Sequence, residues 1–396
     1  MHKHHSALGL ASQVRPADPV TLLRPHAALR AARFFAEKFP GKSLYAVKAN
    51  PSPALLETLW EGGITHYDVA SIAEVRLVAR VLPQATLCFM HPVKAEEAIA
   101  EAYAVHGVRA FSLDTHEELE KILRATGNAE DLTLCVRLRV PSDHAKLSLA
   151  AKFGADPRDV PSLLLAARQA ADVLGICFHV GSQTMSATAY TQAMERVRAA
   201  IVEAAVTVDL VDVGGGFPSV YPDMEPPALE GYFRAIHDAF ESLPISYSAE
   251  LWCEPGRALS AEYASLLVRV ERRRGNELYI NDGAYGALFD AAHVRWRFPV
   301  ALVRETPSEA RDMAFSFYGP TCDDLDHMAG PFLLPADIDV GDYVEIGMLG
   351  AYGCAMRTGF NGFGEGAQSE VTDEPMASLY RDEDEQDRRV LKFENR

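Results

Sequence analysis

A lysine at the end of an apolar run is the first residue of this sequence suited to covalent chemistry. Residues 43–52 read Ser-Leu-Tyr-Ala-Val-Lys-Ala-Asn-Pro-Ser, so Lys48 lies where a predicted strand gives way to a predicted helix. Burial among apolar neighbours lowers the pKa of a lysine and frees its amine to attack a carbonyl group. Taken alone, the window is more typical of a structural lysine whose charged end reaches solvent.

Polar residues also end or interrupt most of the later apolar runs. Glycine backbone N–H groups and an arginine suit a phosphate, and a buried carboxylate suits a protonated ring nitrogen. Pyridoxal phosphate requires these groups together with a lysine amine that bonds to its aldehyde. A histidine can lie against the ring of this cofactor. Their convergence favours a pyridoxal phosphate site formed by Lys48, Asp68, Ser71, Arg137, His179-Val180-Gly181-Ser182, Gly214-Gly215-Gly216 and Glu254-Pro255-Gly256-Arg257.

The elements that would position these residues form a regular alternation. A helix is predicted over residues 26–39, and eight short apolar runs then alternate with segments of helical period up to about residue 253. The runs lie near 43–48, 65–70, 85–90, 107–113, 132–140, 172–180, 208–213 and 248–253. Eight strands with intervening helices predict a (β/α)8 barrel, whose function lies at the carboxyl ends of its strands. An open doubly wound sheet would alternate in the same way, but no Gly-x-Gly-x-x-Gly follows the first strand.

The residue pattern changes after about residue 260, where short β-rich runs replace the segments of helical period. These runs are Ser265–Val270, Glu277–Ile280, Phe298–Arg304, Ala314–Tyr318 and Asp342–Ile346. They predict a second, all-β domain. We therefore place the barrel at residues 20–260 and the all-β domain at 261–396, joined by residues 1–19. Residues 390–393 are a possible last strand in a charged tail.

Composition narrows the function further. The 396 residues carry a net charge of −17, which argues against nucleic acid as a partner, and no apolar run is long enough to span a membrane. The first residues lack the apolar core of a secretory signal, so a cytoplasmic location is expected. Four of the six cysteines, Cys88, Cys135, Cys177 and Cys253, lie in apolar runs and are expected to be core thiols; no metal site is predicted.

The ordered motifs resemble those of a known family. They are Tyr-Ala-Val-Lys-Ala-Asn, Tyr-Asp-Val-Ala-Ser-x-x-Glu, His-Val-Gly-Ser, Gly-Gly-Gly-Phe-Pro, Glu-Pro-Gly-Arg, Gly-Ala-Tyr-Gly, Gly-Pro-Thr-Cys-Asp and Phe-Asn-Gly-Phe. This series resembles the fold-type III pyridoxal phosphate-dependent decarboxylases of basic amino acids, and within them it is most similar to the ornithine decarboxylases. The resemblance runs from about residue 20 to 380, through both domains.

The resemblance implies a role for each matching residue. Lys48 would attach the cofactor, His179 would stack on its ring and Glu254 would pair with its ring nitrogen. Asp68 and Arg137 would lie near the cofactor. The phosphate would be held by Ser182, Gly214, Gly215, Gly216, Arg257 and Tyr352.

The family pattern also places residues at the substrate. Cys322 would deliver a proton to the substrate carbon, and in the family its loop comes from the partner subunit, so a homodimer with shared active sites is implied. Asp323 and Asp290 would bind the distal ammonium of a small basic amino acid. The segment from Tyr285 to His293 is about four residues shorter than in ornithine decarboxylases, which puts the placement of Asp290 in question.

The expected function is decarboxylation of L-ornithine to putrescine. A pocket one methylene deeper would favour lysine and give cadaverine, and dual activity is compatible with the modest discrimination of one methylene. An alanine racemase has a similar layout but needs a tyrosine acid/base where this chain has Cys322-Asp323. An alternative of another class is a non-catalytic regulatory homologue of the antizyme inhibitor type.

Overall fold

The computed structural model describes residues 3–364 and 366–380. It folds into a closed eight-stranded parallel barrel and a separate nine-stranded sheet. The first described elements are β1 (Lys3–His4), α1 (Ala7–Val14) and β2 (Val20–Leu23). Both strands belong to the nine-stranded sheet, and α1 packs on it through Leu10. Val20–Leu23, which the sequence analysis placed in the barrel domain, pairs with strand β13 (Ala264–Arg274) of this sheet.

The barrel domain follows with alternating helices and strands. In chain order these are α2 (Pro25–Lys38), β3 (Lys42–Ala46), α3 (Pro53–Glu61), β4 (His66–Asp68), α4 (Ile72–Val81), β5 (Thr86–Phe89), α5 (Glu96–Ala104), β6 (Ala110–Leu113), α6 (His116–Ala125), β7 (Thr133–Arg137), β8 (Ala145–Leu147), α7 (Val160–Ala170), β9 (Val173–Cys177), β10 (Ser182–Thr184), α8 (Thr188–Ala204), β11 (Leu210–Asp212), α9 (Leu229–Glu241), β12 (Glu250–Cys253) and α10 (Arg257–Ser260). Strand β12 pairs with β3 to close the barrel, while β8 and β10 form a small antiparallel pair outside it. The predicted (β/α)8 fold is confirmed.

Local sequence explains where several barrel helices begin. Ser52, Ser71 and Thr115 each accept a hydrogen bond from the backbone N–H three residues later, which satisfies a donor that the first helical turn leaves free. The barrel interior is filled by apolar side chains, and the four predicted core cysteines are buried free thiols. None of the described helices combines the length and hydropathy needed to cross a membrane.

The second domain is built mainly of strands, as predicted. Its elements are β13 (Ala264–Arg274), β14 (Glu277–Ile280), α11 (Phe289–His293), β15 (Val300–Val303), β16 (Asp312–Tyr318), β17 (His327–Pro335), β18 (Tyr343–Ile346) and β19 (Ala367–Val371). Each of the five predicted β-rich runs overlaps a strand, and β17 and β19 are additional strands. The possible strand at residues 390–393 lies outside the described residues.

A buried arginine joins the two domains. Arg24, immediately before α2, donates hydrogen bonds to Ser265 Oγ at 2.7 Å and Glu345 Oε1 at 2.8 Å in the second domain. It also bonds Asp373 Oδ1 at 2.8 Å, beyond β19. A guanidinium that is only 2% exposed requires such partners, because an unpaired buried charge is costly. The network therefore fixes the orientation of the barrel against the sheet.

Candidate active site

A cavity of about 420 Å³ opens at the carboxyl ends of the barrel strands. This is the end at which barrels of this kind carry their functional groups. Six of the residues selected from the sequence line it together: Lys48, Asp68, Arg137, His179, Glu254 and Tyr352.

Lys48 leaves the barrel wall in a short turn. Strand β3 ends at Ala46, and residues Val47–Ala49 form one turn of 3₁₀ helix. The Asn50 side chain holds this turn by donating to Gly350 O at 2.8 Å, and the Tyr352 N–H donates to Ala49 O at 2.7 Å. Loop 349–352 of the second domain therefore positions the lysine.

The electrostatic state of Lys48 differs from the expectation. Its ammonium lies 3.5 Å from Asp68 Oδ2 at the end of the neighbouring strand β4. Burial by itself lowers the pKa of Lys48, but the charges of Asp68 and Glu254 outweigh burial and the pKa lies above its ordinary value. The predicted lowered pKa is wrong, because the carboxylate of Asp68 on the next strand favours the charged form of the amine.

His179 is a neutral imidazole. Burial, with the charges of Lys48 and Arg137, lowers the pKa of His179 well below its ordinary value. Its Nδ1 accepts a hydrogen bond from the Gly181 N–H at 3.0 Å, which places the ring proton on Nε2. An uncharged aromatic ring held in this way is suited to lie against a flat cofactor.

Two buried carboxylates meet at the ends of β11 and β12. Burial and the charges of Asp212 and Asp68 raise the pKa of Glu254 well above its ordinary value, and burial raises the pKa of Asp212 to about 6. Glu254 therefore keeps its proton to a higher pH than an exposed glutamate does. A cationic ring nitrogen in the cavity would favour its ionised form, as the proposed role of Glu254 requires.

A glycine loop and a buried arginine form a cradle beside the cavity. A Cβ at Gly215 would lie 2.7 Å from Glu254 O and 3.1 Å from His179 Nε2, so only glycine allows this close approach. The Arg257 guanidinium is 4% exposed, and its Nε–H has no hydrogen-bond partner within the described ranges. Its Nη2 lies 3.5 Å from Ser182 Oγ. The under-bonded donors and the glycine backbone fit a phosphate.

The predicted proton donor lies elsewhere. Cys322 and Asp323 line a different cavity, of about 660 Å³, in the second domain. The Cys322 N–H donates to Asn361 Oδ1 at 3.1 Å, and the Tyr285 hydroxyl donates to Asp323. The two cavities share no lining residue in the part of the chain that is described. Within one chain, the structure does not bring Cys322 to Lys48.

Asp290 does lie beside the barrel rim. Its Oδ2 is 3.9 Å from Arg257 Nη2, and the side chain is 15% exposed. The helix that carries it, α11, is only five residues long. The shortened segment therefore still delivers this carboxylate to the edge of the phosphate cradle.

Comparison with known proteins agrees with this geometry. The family model described as pyridoxal-dependent decarboxylase, pyridoxal binding domain, matches residues 27–261. The chain belongs to this family. It is 32% identical to the lysine/ornithine decarboxylase of Selenomonas ruminantium over 330 residues, which cover 81% of this chain and 80% of that protein.

Two further relatives show how widely the family varies. Antizyme inhibitor 2 of Xenopus laevis is 33% identical to this decarboxylase over 359 residues, covering 81% of this chain and 74% of that protein. The crystal structure of the Paramecium bursaria Chlorella virus arginine decarboxylase bound to agmatine superposes with a TM-score of 0.80 at 26% identity, covering 92% of this chain and 98% of that chain. The fold-type III family of basic amino acid decarboxylases is thereby established, and its cofactor is pyridoxal phosphate.

Sequence reasoning missed part of the cavity wall of this decarboxylase. Met90, His91 and Pro92 line it directly after β5, and the rule that polar residues follow barrel strands would have found His91. Segment 148–153 also lines the cavity, and its Phe153 ring lies 4.9 Å from the His91 ring. This segment has no strand or helix pattern, so its position follows only from the fold.

A buried ion pair supports the loop after β5. The Lys94 ammonium lies 2.9 Å from Glu118 Oε1 and donates to His91 O at 2.9 Å and Ser112 O at 2.6 Å. Burial lowers the pKa of Lys94 to about 8. The pair ties the backbone of His91 to the barrel, so it shapes the cavity from behind.

Proposed function

We propose that this decarboxylase converts L-ornithine to putrescine. The observation that carries the proposal is the aspartate that follows Cys322, whose short carboxylate suits a bare distal ammonium. Burial raises the pKa of Asp290 while the Arg257 charge opposes that effect, so a cationic substrate would favour its ionised form. The two carboxylates would define the length of the substrate.

The residues of the rim fit the cofactor. When bound, pyridoxal phosphate supplies an electron sink for the pair left behind as the Cα–carboxylate bond breaks. Lys48 would hold the cofactor through its Nζ, His179 would cover one ring face, and Glu254 would hold the proton on the ring nitrogen. The phosphate would be bound by Gly214, Gly215, Gly216, Ser182, Arg257 and Tyr352. Asp68 and Arg137 would set the charge around the amine.

A residue of this chain supplies the proton that replaces the carboxylate at Cα. The carboxylate leaves as carbon dioxide and its bonding electrons remain at Cα. The Cys322 thiol would then donate its proton to Cα, and the thiolate left behind would take a proton from solvent as the product amine is released. Asp323 and Asp290 hold the distal ammonium so that Cα keeps its position during both steps.

A homodimer with shared active sites completes the assembly. The support is that Cys322 and Asp323 line a cavity separate from that of Lys48, so a second copy must bring them to the rim. Exposed apolar residues Leu325, Phe360 and Phe363 lie near the Cys322 loop and suit such a contact.

A mixing experiment tests the shared site. Lys48→Ala and Cys322→Ala proteins, each inactive, are mixed under conditions that allow subunit exchange. Random exchange should restore about a quarter of wild-type activity, because half of the dimers then carry one intact site of two. Failure to recover activity despite proven exchange would refute sharing.

Substrate choice is tested by competition. The purified protein is incubated with pyridoxal phosphate and equal amounts of L-ornithine, L-lysine and L-arginine, and the amines formed are identified by mass spectrometry. Putrescine should dominate. A larger kcat/KM for lysine would overturn the ornithine assignment in favour of lysine or dual activity, which the name of the Selenomonas relative supports.

The regulatory alternative rests on the antizyme inhibitor relative. Against it stands the presence of Lys48, His179 and Glu254 around one cavity. Absence of carbon dioxide release with every basic amino acid would favour the regulatory role. A cytoplasmic location is also proposed, since buried cysteines that remain free thiols suit a reducing compartment.

A further inference from the structure

Three aromatic rings enclose the guanidinium of Arg257. Its Cζ lies 4.3 Å from the centroid of the Trp296 ring, 4.9 Å from that of Tyr352 and 5.7 Å from that of Tyr221. The guanidinium also donates a hydrogen bond to the Tyr221 hydroxyl at 3.1 Å. Aromatic faces attract a cation without using its N–H donors, so the edge of the guanidinium stays available.

Trp296 and Tyr221 form a rigid support for this arginine. Their rings meet edge to face with centroids 5.2 Å apart, and Trp296 is 1% exposed. The Trp296 backbone N–H donates to Asp290 O in the first turn of α11 at 3.0 Å. Tyr221 comes from the loop after β11 and Trp296 from the second domain, so the support spans the junction of the two domains.

The aromatic support determines which of two anions the Arg257 guanidinium faces, the cofactor's phosphate or Asp290. Asp290 Oδ2 is 3.9 Å from Arg257 Nη2, close enough to attract it yet too far for a hydrogen bond. A side chain that lost its aromatic neighbours would move toward this carboxylate. Such a movement would withdraw a donor from the phosphate and a negative charge from the substrate ammonium together.

We propose that Trp296 and Tyr221 are positioning residues that hold the Arg257 guanidinium toward the cofactor's phosphate and away from Asp290. This inference rests on the proposed phosphate-binding role of Arg257. It gives the segment between α11 and β15 a function in cofactor affinity, although Trp296 itself need not touch the cofactor.

The test compares two ligands that differ only in the phosphate. Cofactor-free wild type, Trp296→Phe and Trp296→Leu are titrated with pyridoxal phosphate and with pyridoxal, and Kd values are measured by absorbance. Loss of a cation–aromatic contact should weaken pyridoxal phosphate binding by about tenfold in Trp296→Leu, with a smaller loss in Trp296→Phe. Pyridoxal affinity should not change. The ³¹P resonance of bound cofactor should shift in Trp296→Leu.

Two further variants provide a packing control and a second test of the same role. Phe298→Leu alters the same apolar core, where its ring lies 5.7 Å from Tyr221, and should preserve the preference for pyridoxal phosphate. Tyr221→Phe removes only the hydroxyl that accepts from Arg257, and should weaken pyridoxal phosphate binding even if Trp296→Leu fails to fold.

The outcomes separate the inference from the function on which it rests. If wild type binds pyridoxal as tightly as pyridoxal phosphate, the role of Arg257 is wrong. If wild type prefers pyridoxal phosphate but Trp296→Leu and Tyr221→Phe keep that preference and the ³¹P resonance, the positioning role is wrong. Equal loss of affinity for both ligands would likewise reduce Trp296 to a packing residue.

Discussion

Replacing Asp68 with asparagine should lower the pKa of Lys48. Two unit charges 3.5 Å apart attract by about 5 kcal/mol at an effective dielectric constant of 20 and by about 1 kcal/mol in water. The Lys48 side chain is 43% exposed, so the lower part of this range applies. At 1.36 kcal/mol per unit, the pKa of Lys48 should fall by about 1–2 units.

Competitive labelling with acetic anhydride measures this pKa directly. Only the neutral amine reacts, so at pH values below the pKa the cofactor-free Asp68→Asn protein should label at Lys48 about 10 to 100 times faster than wild type. Mass spectrometry of the peptide that contains Lys48 reports the rate. Asp209→Asn removes a carboxylate that pairs with Arg168 at 2.6 Å and serves as the matched control.

The sign of the change is the critical result. A fall in the pKa of Lys48 in Asp68→Asn, with no change in Asp209→Asn, would establish Asp68 as the main charge that keeps the amine protonated. An unchanged or raised pKa would refute the electrostatic account of the rim.

Three further predictions concern one glycine, Gly215, and two buried charged residues, Glu262 and Lys94. Gly215→Ala should abolish tight cofactor binding and lower the free energy of unfolding by about 1–3 kcal/mol, because the new Cβ would meet Glu254 O. Cofactor titration measures the first effect and urea unfolding the second. Retained cofactor binding would contradict the close approach at Gly215. Burial raises the pKa of Glu262 to about 7. The protein should therefore lose about 3 kcal/mol of folding stability as pH rises from about 4.5 to 7, whereas the Glu262→Gln protein should not. Curves of stability against pH that run parallel for the two proteins would disprove this. Lys94→Ala removes one of the two lysines that pair with Glu118, since Lys121 Nζ stays 2.5 Å from Glu118 Oε2. It should lower the free energy of unfolding by about 1–3 kcal/mol in denaturant titrations, and an unchanged free energy of unfolding would exclude a structural role for the pair.

The barrel was predictable because each of its strands is short, apolar and followed by a helix of clear period. The same regularity located the rim, since Lys48, His179 and Glu254 each follow a strand and the ends of parallel strands meet in space. Those three positions depend only on local sequence and the closure of the barrel.

Features that depend on contacts distant in sequence were not predictable in this way. Strand β17 contains Gly330-Pro331, which interrupts the alternation that marks a strand. The pairing of Val20–Leu23 was likewise not predictable, because its partner, β13, lies more than two hundred residues later in the sequence. No local pattern reports either pairing.

The site shows the same limit. The pKa of Lys48 was misjudged because Asp68, on the next strand, contributes a charge that the apolar neighbours in sequence do not reveal. Trp296 and Tyr221 come from different domains, and their rings meet each other and Arg257 only once the chain has folded.

Borohydride reduction of the cofactor-loaded protein tests the central assignment most directly. Reduction makes the bond between an amine and pyridoxal phosphate permanent, so peptide mapping by mass spectrometry identifies the attached lysine. Lys48 should carry the label in nearly every chain, and Lys48→Ala should retain none. A label on any other lysine, or a folded Lys48→Ala protein with the same reducible cofactor, would contradict the account.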